Sequence, residues 1–128
     1  LFLLLMEYTF VCFGHENITA KHKNTLEFTK DNFVTKKGDC IVGCRADFDL
    51  KKLKEFIGKV CNEEKKAIVK IIIKIEDIIE EIVIRKSDFN SKRTLVMRAD
   101  KGASDYSSEI RERLREEVII HVTIQSFN

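Results

Sequence analysis

Apolar and polar residues alternate with a period of two along much of the chain, which is the pattern of half-buried β-strands. The alternation is cleanest in residues 67–75, where every second position is alanine, valine or isoleucine. It returns in residues 118–125. Shorter segments over 7–13, 25–29 and 94–99 are rich in the β-branched, aromatic and other apolar residues that strands favour. These five segments are predicted strands.

Residues 25–42 carry two further predictions. Within 25–29 the alternation points Leu26 and Phe28 into the protein, and it leaves Thr25, Glu27 and Thr29 on the solvent side. Residues 33–42 then resemble two short strands around Lys36-Lys37-Gly38-Asp39, which predicts a hairpin with glycine in its turn.

Residues 75–93 are less regular. The isoleucines of 75–85 fit a helix or a strand, and their β-branched character favours a tight connection at Glu76 and Asp77 followed by a strand to Arg85. The polar run 87–93 predicts a loop.

Helical spacing occurs twice. Asp49 is placed to cap a helix over 50–61, and a second helix is predicted over 102–116. The apolar residues at helical spacing are Leu50, Leu53, Ile57 and Val60 in the first helix and Ala103, Tyr106, Ile110 and Leu114 in the second.

Seven or eight strands and two short helices predict a mainly β protein. Most neighbouring strands are joined by short links, which favours an antiparallel β-sandwich or a flattened barrel. An α+β fold with a single sheet and both helices on one face is the alternative.

The chain has 128 residues, which fits one domain. Residues 1–5 are apolar but lack a basic segment before them, and Glu7 interrupts the run, so neither a signal peptide nor a membrane span is predicted. We interpret 1–5 as an upstream extension outside the core and 6–128 as the domain. Cys40 and Cys44 are too far apart along a predicted strand for a disulfide or one zinc ion, and we expect all four cysteines to be reduced thiols in a soluble cytoplasmic protein.

The most polar stretch between two predicted strands is residues 14–25, which we call the histidine loop. It contains His15, Asn17 and His22. The two histidines with a carboxylate from Asp39 or Asp100 would supply nitrogen and oxygen ligands to a divalent metal, and this is the basis of one functional hypothesis, a metal-dependent hydrolase-like enzyme. The alternative is that the histidines only hydrogen-bond to the loop backbone.

Arginine and lysine gather around the predicted strand 94–99. Arg93, Arg98 and Lys101 lie there, and a helix is predicted to start just beyond them, so the region suits an anion. The net charge of +2 is too small to indicate nucleic acid by itself. We favour a non-enzymatic binding module for a small anionic ligand, RNA or a protein partner. Its predicted ligand-binding residues are His15, Asn17, His22, Arg93, Arg98 and Lys101.

Four blocks of the chain together resemble a known family. They are Gly14-His15-x-Asn17-Ile18-x-Ala20-x-His22-x-x-Thr25-x-Glu27-x-Thr29, Gly38-Asp39-Cys40-Ile41-Val42-Gly43, Arg85-Lys86-Ser87-Asp88-Phe89 and Arg93-Thr94-Leu95-x-x-Arg98-Ala99-Asp100-Lys101. This pattern is similar to the archaeal domain of unknown function 371. The resemblance implies a small archaeal intracellular protein with a jelly-roll-like β-sandwich, and it implies no activity. Residues 76–84 depart from it, because many members have a longer segment there with a second Gly-His element.

Overall fold

Eight strands form two four-stranded sheets in the computed structural model, which describes residues 3–61, 68–85 and 87–127. Two α-helices and one turn of 3₁₀ helix lie between strands. In chain order the elements are β1 Leu4–Phe13, β2 Thr25–Thr29, β3 Ile41–Gly43, α1 Leu50–Cys61, β4 Ile68–Ile75, β5 Ile78–Ile84, β6 Ser87–Ser91, β7 Thr94–Ala99, the 3₁₀ helix Ala103–Asp105, α2 Ser108–Arg113 and β8 Ile119–Phe127.

The first sheet has the strand order β1-β8-β4-β5 and the second has β3-β2-β7-β6. All neighbours are antiparallel except β2 and β3, which run parallel. The two sheets meet through their apolar faces, as the rings of Phe10 on β1 and Phe28 on β2 show, with centroids 5.3 Å apart. The predicted mainly β sandwich is therefore confirmed, and the single-sheet alternative is wrong.

Gly43 lies where β3 of one sheet packs against β1 of the other. A β-carbon on this residue would lie only 2.3 Å from the sulfur of Cys12, which is fully buried on β1. Real β-carbons essentially never approach a neighbour so closely. The sequence therefore needs glycine at this position for space, because β3 passes directly over β1.

The core follows the predicted period of two in the strands of the first sheet. Val69, Ile71, Ile73 and Ile75 of β4 are completely buried. The residues of the neighbouring strand β8 that lie on the same face of the sheet are buried too. The predicted solvent exposure of two β2 threonines is wrong, since Thr25 and Thr29 are only 9% and 3% exposed. Thr29 keeps its hydroxyl satisfied by accepting hydrogen bonds from the Thr94 hydroxyl and the Asp31 N–H.

The predicted hairpin over 33–42 is also wrong. Only Ile41–Gly43 forms a strand there, and it pairs in parallel with β2 instead of with its own neighbour. Parallel strands need a long connection, and residues 30–40 supply it. Gly38 does lie in a turn, because its N–H donates to the carbonyl of Thr35.

The strand interpretation of 78–84 is confirmed, and Glu76 makes the tight connection with a positive φ of 54°. The loop predicted over 87–93 is wrong for its first five residues, which form β6 and pair with β7. Polar residues concealed this strand because it lies at the edge of its sheet, where alternation is weak.

The first helix and its cap are confirmed, because the N–H of Lys52 donates to the Asp49 carboxylate at 2.9 Å. The second helix is shorter than predicted and interrupted. The 3₁₀ turn ends at Tyr106, and Ser107 caps α2 with its own hydroxyl, which accepts from the Ile110 N–H at 3.2 Å. The four apolar residues predicted for this helix are nevertheless all buried. None of the helices in the described part of the chain is long and apolar enough to cross a membrane.

Candidate functional site

The second half of the histidine loop is fixed by one backbone oxygen. Ala20 has a positive φ of 49°, which turns the chain so that two consecutive N–H groups point the same way. The N–H groups of Lys21 and His22 both donate to the carbonyl of Asp39, at 2.9 and 3.1 Å. The loop is thereby joined to the residues that lead into β3.

The same turn is joined to the residues that follow β7. The N–H of Ser104 donates to the His22 carbonyl at 3.0 Å, and the N–H of Ala99 donates to the Asn24 carbonyl at 2.8 Å. Gly102 lies against this turn, and a β-carbon there would be 2.4 Å from the Asn24 nitrogen and from the His22 oxygen. The backbones of three segments are therefore in direct contact: the end of the histidine loop, the residues that lead into β3 and the residues that follow β7.

Four basic residues surround this junction, and we call them the basic corner: Lys21, His22, Lys23 and Lys101. The side chains of Lys21 and Lys23 are exposed, and those of His22 and Lys101 are half-buried. The imidazole of His22 is held by the N–H of Asn24, which donates to its Nδ1 at 3.3 Å. Within the described residues the three lysines form no ion pair.

Three carboxylates lie at the same place, on Asp39, Asp100 and Asp105, and that of Asp100 accepts a hydrogen bond from the Arg85 N–H at 3.2 Å. Asp105 accepts a hydrogen bond from the Gly102 N–H at 2.8 Å, and Asp39 is half-buried. Lys36 and Lys37 are exposed in the turn that precedes Asp39. Counted with Lys36 and Lys37, five lysines therefore stand against these three carboxylates, and the net charge of the region is positive.

His15 and Asn17 occupy the other half of the loop. The N–H of His15 donates to the Leu114 carbonyl at 2.9 Å, and its ring packs edge-on against Phe33 with centroids 6.0 Å apart. Its Nδ1 accepts from the N–H of Asn17, whose side-chain amide donates to the carbonyl of Val34 at 2.8 Å. These bonds are the local backbone contacts expected of a loop that connects strands.

The proposed metal ligands have separate surroundings. His15 contacts Phe33, while His22 lies beside the backbone of Asp39, and Asp100 accepts a hydrogen bond from the Arg85 N–H at 3.2 Å. Across residues 3–61, 68–85 and 87–127 no group of three or more histidine, cysteine or acidic side chains is arranged to hold a metal ion. The metal-site hypothesis stays a prediction, and metal analysis would test it.

The predicted cationic residues lie at different ends of β7. Arg93 precedes the strand and forms an ion pair with Asp31 at 2.9 Å. Arg98 is near the other end of β7, opposite Thr25 of β2, and its side chain is exposed. Six residues of strand span about 20 Å, so Arg93 lies away from the basic corner, whereas Arg98 and Lys101 lie near it. Sequence reasoning missed Lys21 and Lys23, which flank His22 directly.

The three described cysteines form no disulfide, and burial raises the pKa of each thiol. Burial raises the pKa of Cys12 well above its ordinary value. Burial and a hydrogen bond with Glu27 raise the pKa of Cys40 to about 12. Cys44 is also buried with a raised pKa, and the side chain of Cys61 lies outside the described part. No disulfide joins the three cysteines described, and the expectation of reduced thiols stays a prediction.

Three cavities lie away from the corner, against the β1-β8-β4-β5 sheet. Their volumes are about 630, 460 and 380 Å³. The largest is lined by strands β1 and β8 and by Asp47, Asp49 and Lys52. None of the three includes a residue of the basic corner, so that corner is an exposed surface outside these clefts.

Fold and surface together define a small β-sandwich protein with a lysine-rich corner. Residues 10–127 match the family described as a domain of unknown function (DUF371), and the chain belongs to that family. It is similar to an uncharacterized protein of Methanocaldococcus jannaschii, with 36% identity over 125 residues that cover 87% of this chain and 93% of the relative. The resemblance found in the four sequence blocks is thus confirmed.

Proposed function

We propose that the protein is a non-enzymatic binding module whose basic corner binds the phosphate backbone of RNA. The observation that carries the proposal is the set of three lysines without ion-pair partners in the described chain, held around a rigid backbone junction. Lysine ammonium groups that are not neutralised within the protein are available to replace the counterions of a polyanion.

The exposure of the corner favours RNA over a small anionic ligand. Small ligands bind in concave pockets that bury most of their surface. Lys21 and Lys23 are instead exposed, and they precede and follow His22 in the chain. Extended polyanions are bound by such open arrangements of point charges, and an imidazole beside them offers a face on which an unpaired base can stack.

The cytoplasm is the compartment that we propose for this function. The free thiols of Cys12, Cys40 and Cys44 support it, because thiols persist in a reducing environment. RNA is abundant there, and a protein that binds it through lysines would meet its ligand directly.

The test is fluorescence anisotropy with a labelled single-stranded RNA over a series of salt concentrations. The variant Lys21→Ala/Lys23→Ala/Lys101→Ala removes the three lysines of the corner. Its control removes three exposed lysines of α1, Lys51→Ala/Lys54→Ala/Lys59→Ala, with the same change of net charge. For single strands each lost phosphate contact lowers the slope of log affinity against log salt by about 0.7, so the corner variant should lose about two units of slope. The control should keep the slope of the wild-type protein.

Equal losses in the two triple variants would contradict the proposal, because binding would then depend only on net charge. Competition with a mononucleotide separates RNA from a small anion. If the mononucleotide displaces the RNA at equal concentration of phosphate, the ligand is a small anion. Metal analysis of the same purified protein tests the hydrolase hypothesis built on His15 and His22.

A further inference from the structure

Among the phenylalanine and tyrosine rings that the structure describes, that of Phe33 alone lies mainly in solvent. The residue is 67% exposed, and the other strongly exposed apolar residues of the described chain are the aliphatic Leu3, Leu4, Ile79 and Ile119. An exposed ring gains little hydrophobic stabilisation. The fold itself therefore gives little reason for an aromatic residue at this position.

The backbone beside Phe33 is fixed against the histidine loop. The next residue, Val34, is buried, and its carbonyl accepts a hydrogen bond from the Asn17 side-chain amide at 2.8 Å. The His15 imidazole meets the Phe33 ring at an interplanar angle of 81°, with centroids 6.0 Å apart. An edge-on contact covers at most one face of the ring, so a face of Phe33 is open to solvent at a defined position.

The segment that follows Phe33 leads to the basic corner. Between residues 34 and 39 the chain can span at most about 18 Å, and the turn at Gly38 shortens that span. At the far end the Asp39 carbonyl accepts hydrogen bonds from two N–H groups of the basic corner. Both ends of the segment are therefore bonded to the histidine loop, and a few nucleotides of RNA can cover the distance from the ring to the corner.

Cations lie on the segment between the ring and the corner. Lys36 and Lys37 are both exposed there. Two exposed acidic residues lie on the same pieces of chain: Glu16, and Asp31, which forms an ion pair with Arg93 at 2.9 Å. The lysines of the segment and of the corner outnumber them. An aromatic ring among lysines suits a single-stranded nucleic acid, because ammonium groups follow its phosphates while rings stack on its bases.

We infer that the Phe33 ring stacks on an unpaired base, and that the RNA bound at the basic corner is therefore single-stranded. This stacking rests on the proposed RNA binding and adds to it the form of the RNA. The bases of an A-form duplex are stacked on one another inside the helix, so a duplex offers phosphates to the lysines but no base to the ring. Every base has an aromatic face, so the contact is tolerant of sequence.

The test is fluorescence anisotropy with a labelled RNA single strand of about twelve nucleotides and with a duplex of the same length. Phe33→Ala should weaken binding of the single strand about tenfold, because one stacked base is lost, and it should leave the affinity for the duplex unchanged. Its salt slope should equal that of the wild-type protein, since no phosphate contact is removed. The matched control is Ile79→Ala, which truncates an apolar residue that is 61% exposed on β5.

The variant Phe33→Trp gives a direct signal of stacking, because the chain has no tryptophan of its own. Its indole fluorescence should be quenched when the single strand binds, and the duplex should leave that fluorescence unchanged. Its affinity for the single strand should be at least that of the wild-type protein, since indole also offers an aromatic face. Thermal melting checks that both Phe33 variants are folded.

Stacking at Phe33 is ruled out if Phe33→Ala binds the single strand like Ile79→Ala, or if it weakens binding of the single strand and the duplex equally. The proposed function is decided separately, because the salt slope of the triple-lysine variant of the corner does not depend on Phe33. A tenfold loss in Phe33→Ala, with equal losses in the two triple-lysine variants, would support stacking and contradict the basic corner. A wild-type protein that binds neither RNA would overturn both.

Discussion

The close contact between Gly43 and Cys12 makes a sharp prediction about stability. The change Gly43→Ala adds a β-carbon 2.3 Å from the Cys12 sulfur, in a part of the core that is fully buried. The change Cys12→Ala removes that sulfur. Of the three nearest atoms, the double variant keeps the β-carbon of residue 12, at 3.2 Å, and a methyl carbon of Ile120, at 3.6 Å. The 3.2 Å contact needs a shift of a few tenths of an ångström, whereas 3.6 Å is an ordinary van der Waals distance.

The magnitudes follow from the geometry. Overpacking of a core costs about 1–3 kcal/mol, so Gly43→Ala should lower the free energy of unfolding by about 2 kcal/mol. Removing the buried sulfur in Cys12→Ala should cost about 1 kcal/mol. Independent effects would add to about 3 kcal/mol. We expect the double variant to lose no more than about 1 kcal/mol, because one atom is added where another is removed and the core volume is nearly conserved.

The measurement is urea unfolding of the four proteins at one temperature, followed by circular dichroism. The double variant should be more stable than Gly43→Ala alone, with a melting temperature higher by about 4 °C for each kcal/mol regained in a domain of this size. Additive losses would refute the reasoning, since the two sheets would then not meet at these residues.

Three further predictions concern the helix cap, the histidine loop and the first residues. The N–H of Lys52 lowers the pKa of the Asp49 carboxylate below its ordinary value, so the ionised cap stabilises the fold above the ordinary carboxyl pKa. Asp49→Ala should therefore lower the melting temperature at neutral pH, and the difference from wild type should shrink as the pH falls through the pKa of Asp49 in the folded protein; a constant difference would contradict this. His15→Ala and His22→Ala should each cost about 1 kcal/mol in thermal melts through lost hydrogen bonds to backbone N–H groups, and only His22→Ala should weaken RNA binding in the anisotropy assay. Deletion of residues 1–5 also removes the first two residues of β1, but Leu3 and Leu4 are 68% and 49% exposed, so the melting temperature should be almost unchanged; a drop of more than several degrees would show that these leucines belong to the core.

Local patterns predicted the parts of the fold in which a strand has one buried face. β4 and β8 were found because their alternating isoleucines and valines pack on one side only, and α1 was found because Asp49 marks its start. β6 was missed because the sequence Ser-Asp-Phe-Asn-Ser has no strong preference for the strand conformation. Its pairing with β7 makes it a strand. The parallel pairing of β3 with β2 was missed because it joins segments that are separated along the chain, and a local sequence pattern carries no information about such a pairing.

The site was predicted less well for a related reason. The sequence analysis grouped His22 with Lys101, which follows β7, in one predicted site. The hydrogen bond from the Ser104 N–H to the His22 carbonyl does place His22 beside the residues after β7. Arg93 was grouped with them only because it is near in sequence, and the extended geometry of β7 carries it to the other end of the strand. Proximity along an extended strand is a poor guide to proximity in space.

The position of β8 has a consequence for how the chain is made. This strand is the last of the domain, yet it lies between β1 and β4 and holds both in register. While the ribosome is still producing residues 119–127, β1 has no neighbour in its sheet, and the backbone groups on one edge of β4 have no partner strand. The nascent chain must therefore wait for its final strand before the sandwich closes, and in that interval it depends on rapid completion or on chaperones to avoid association with other chains.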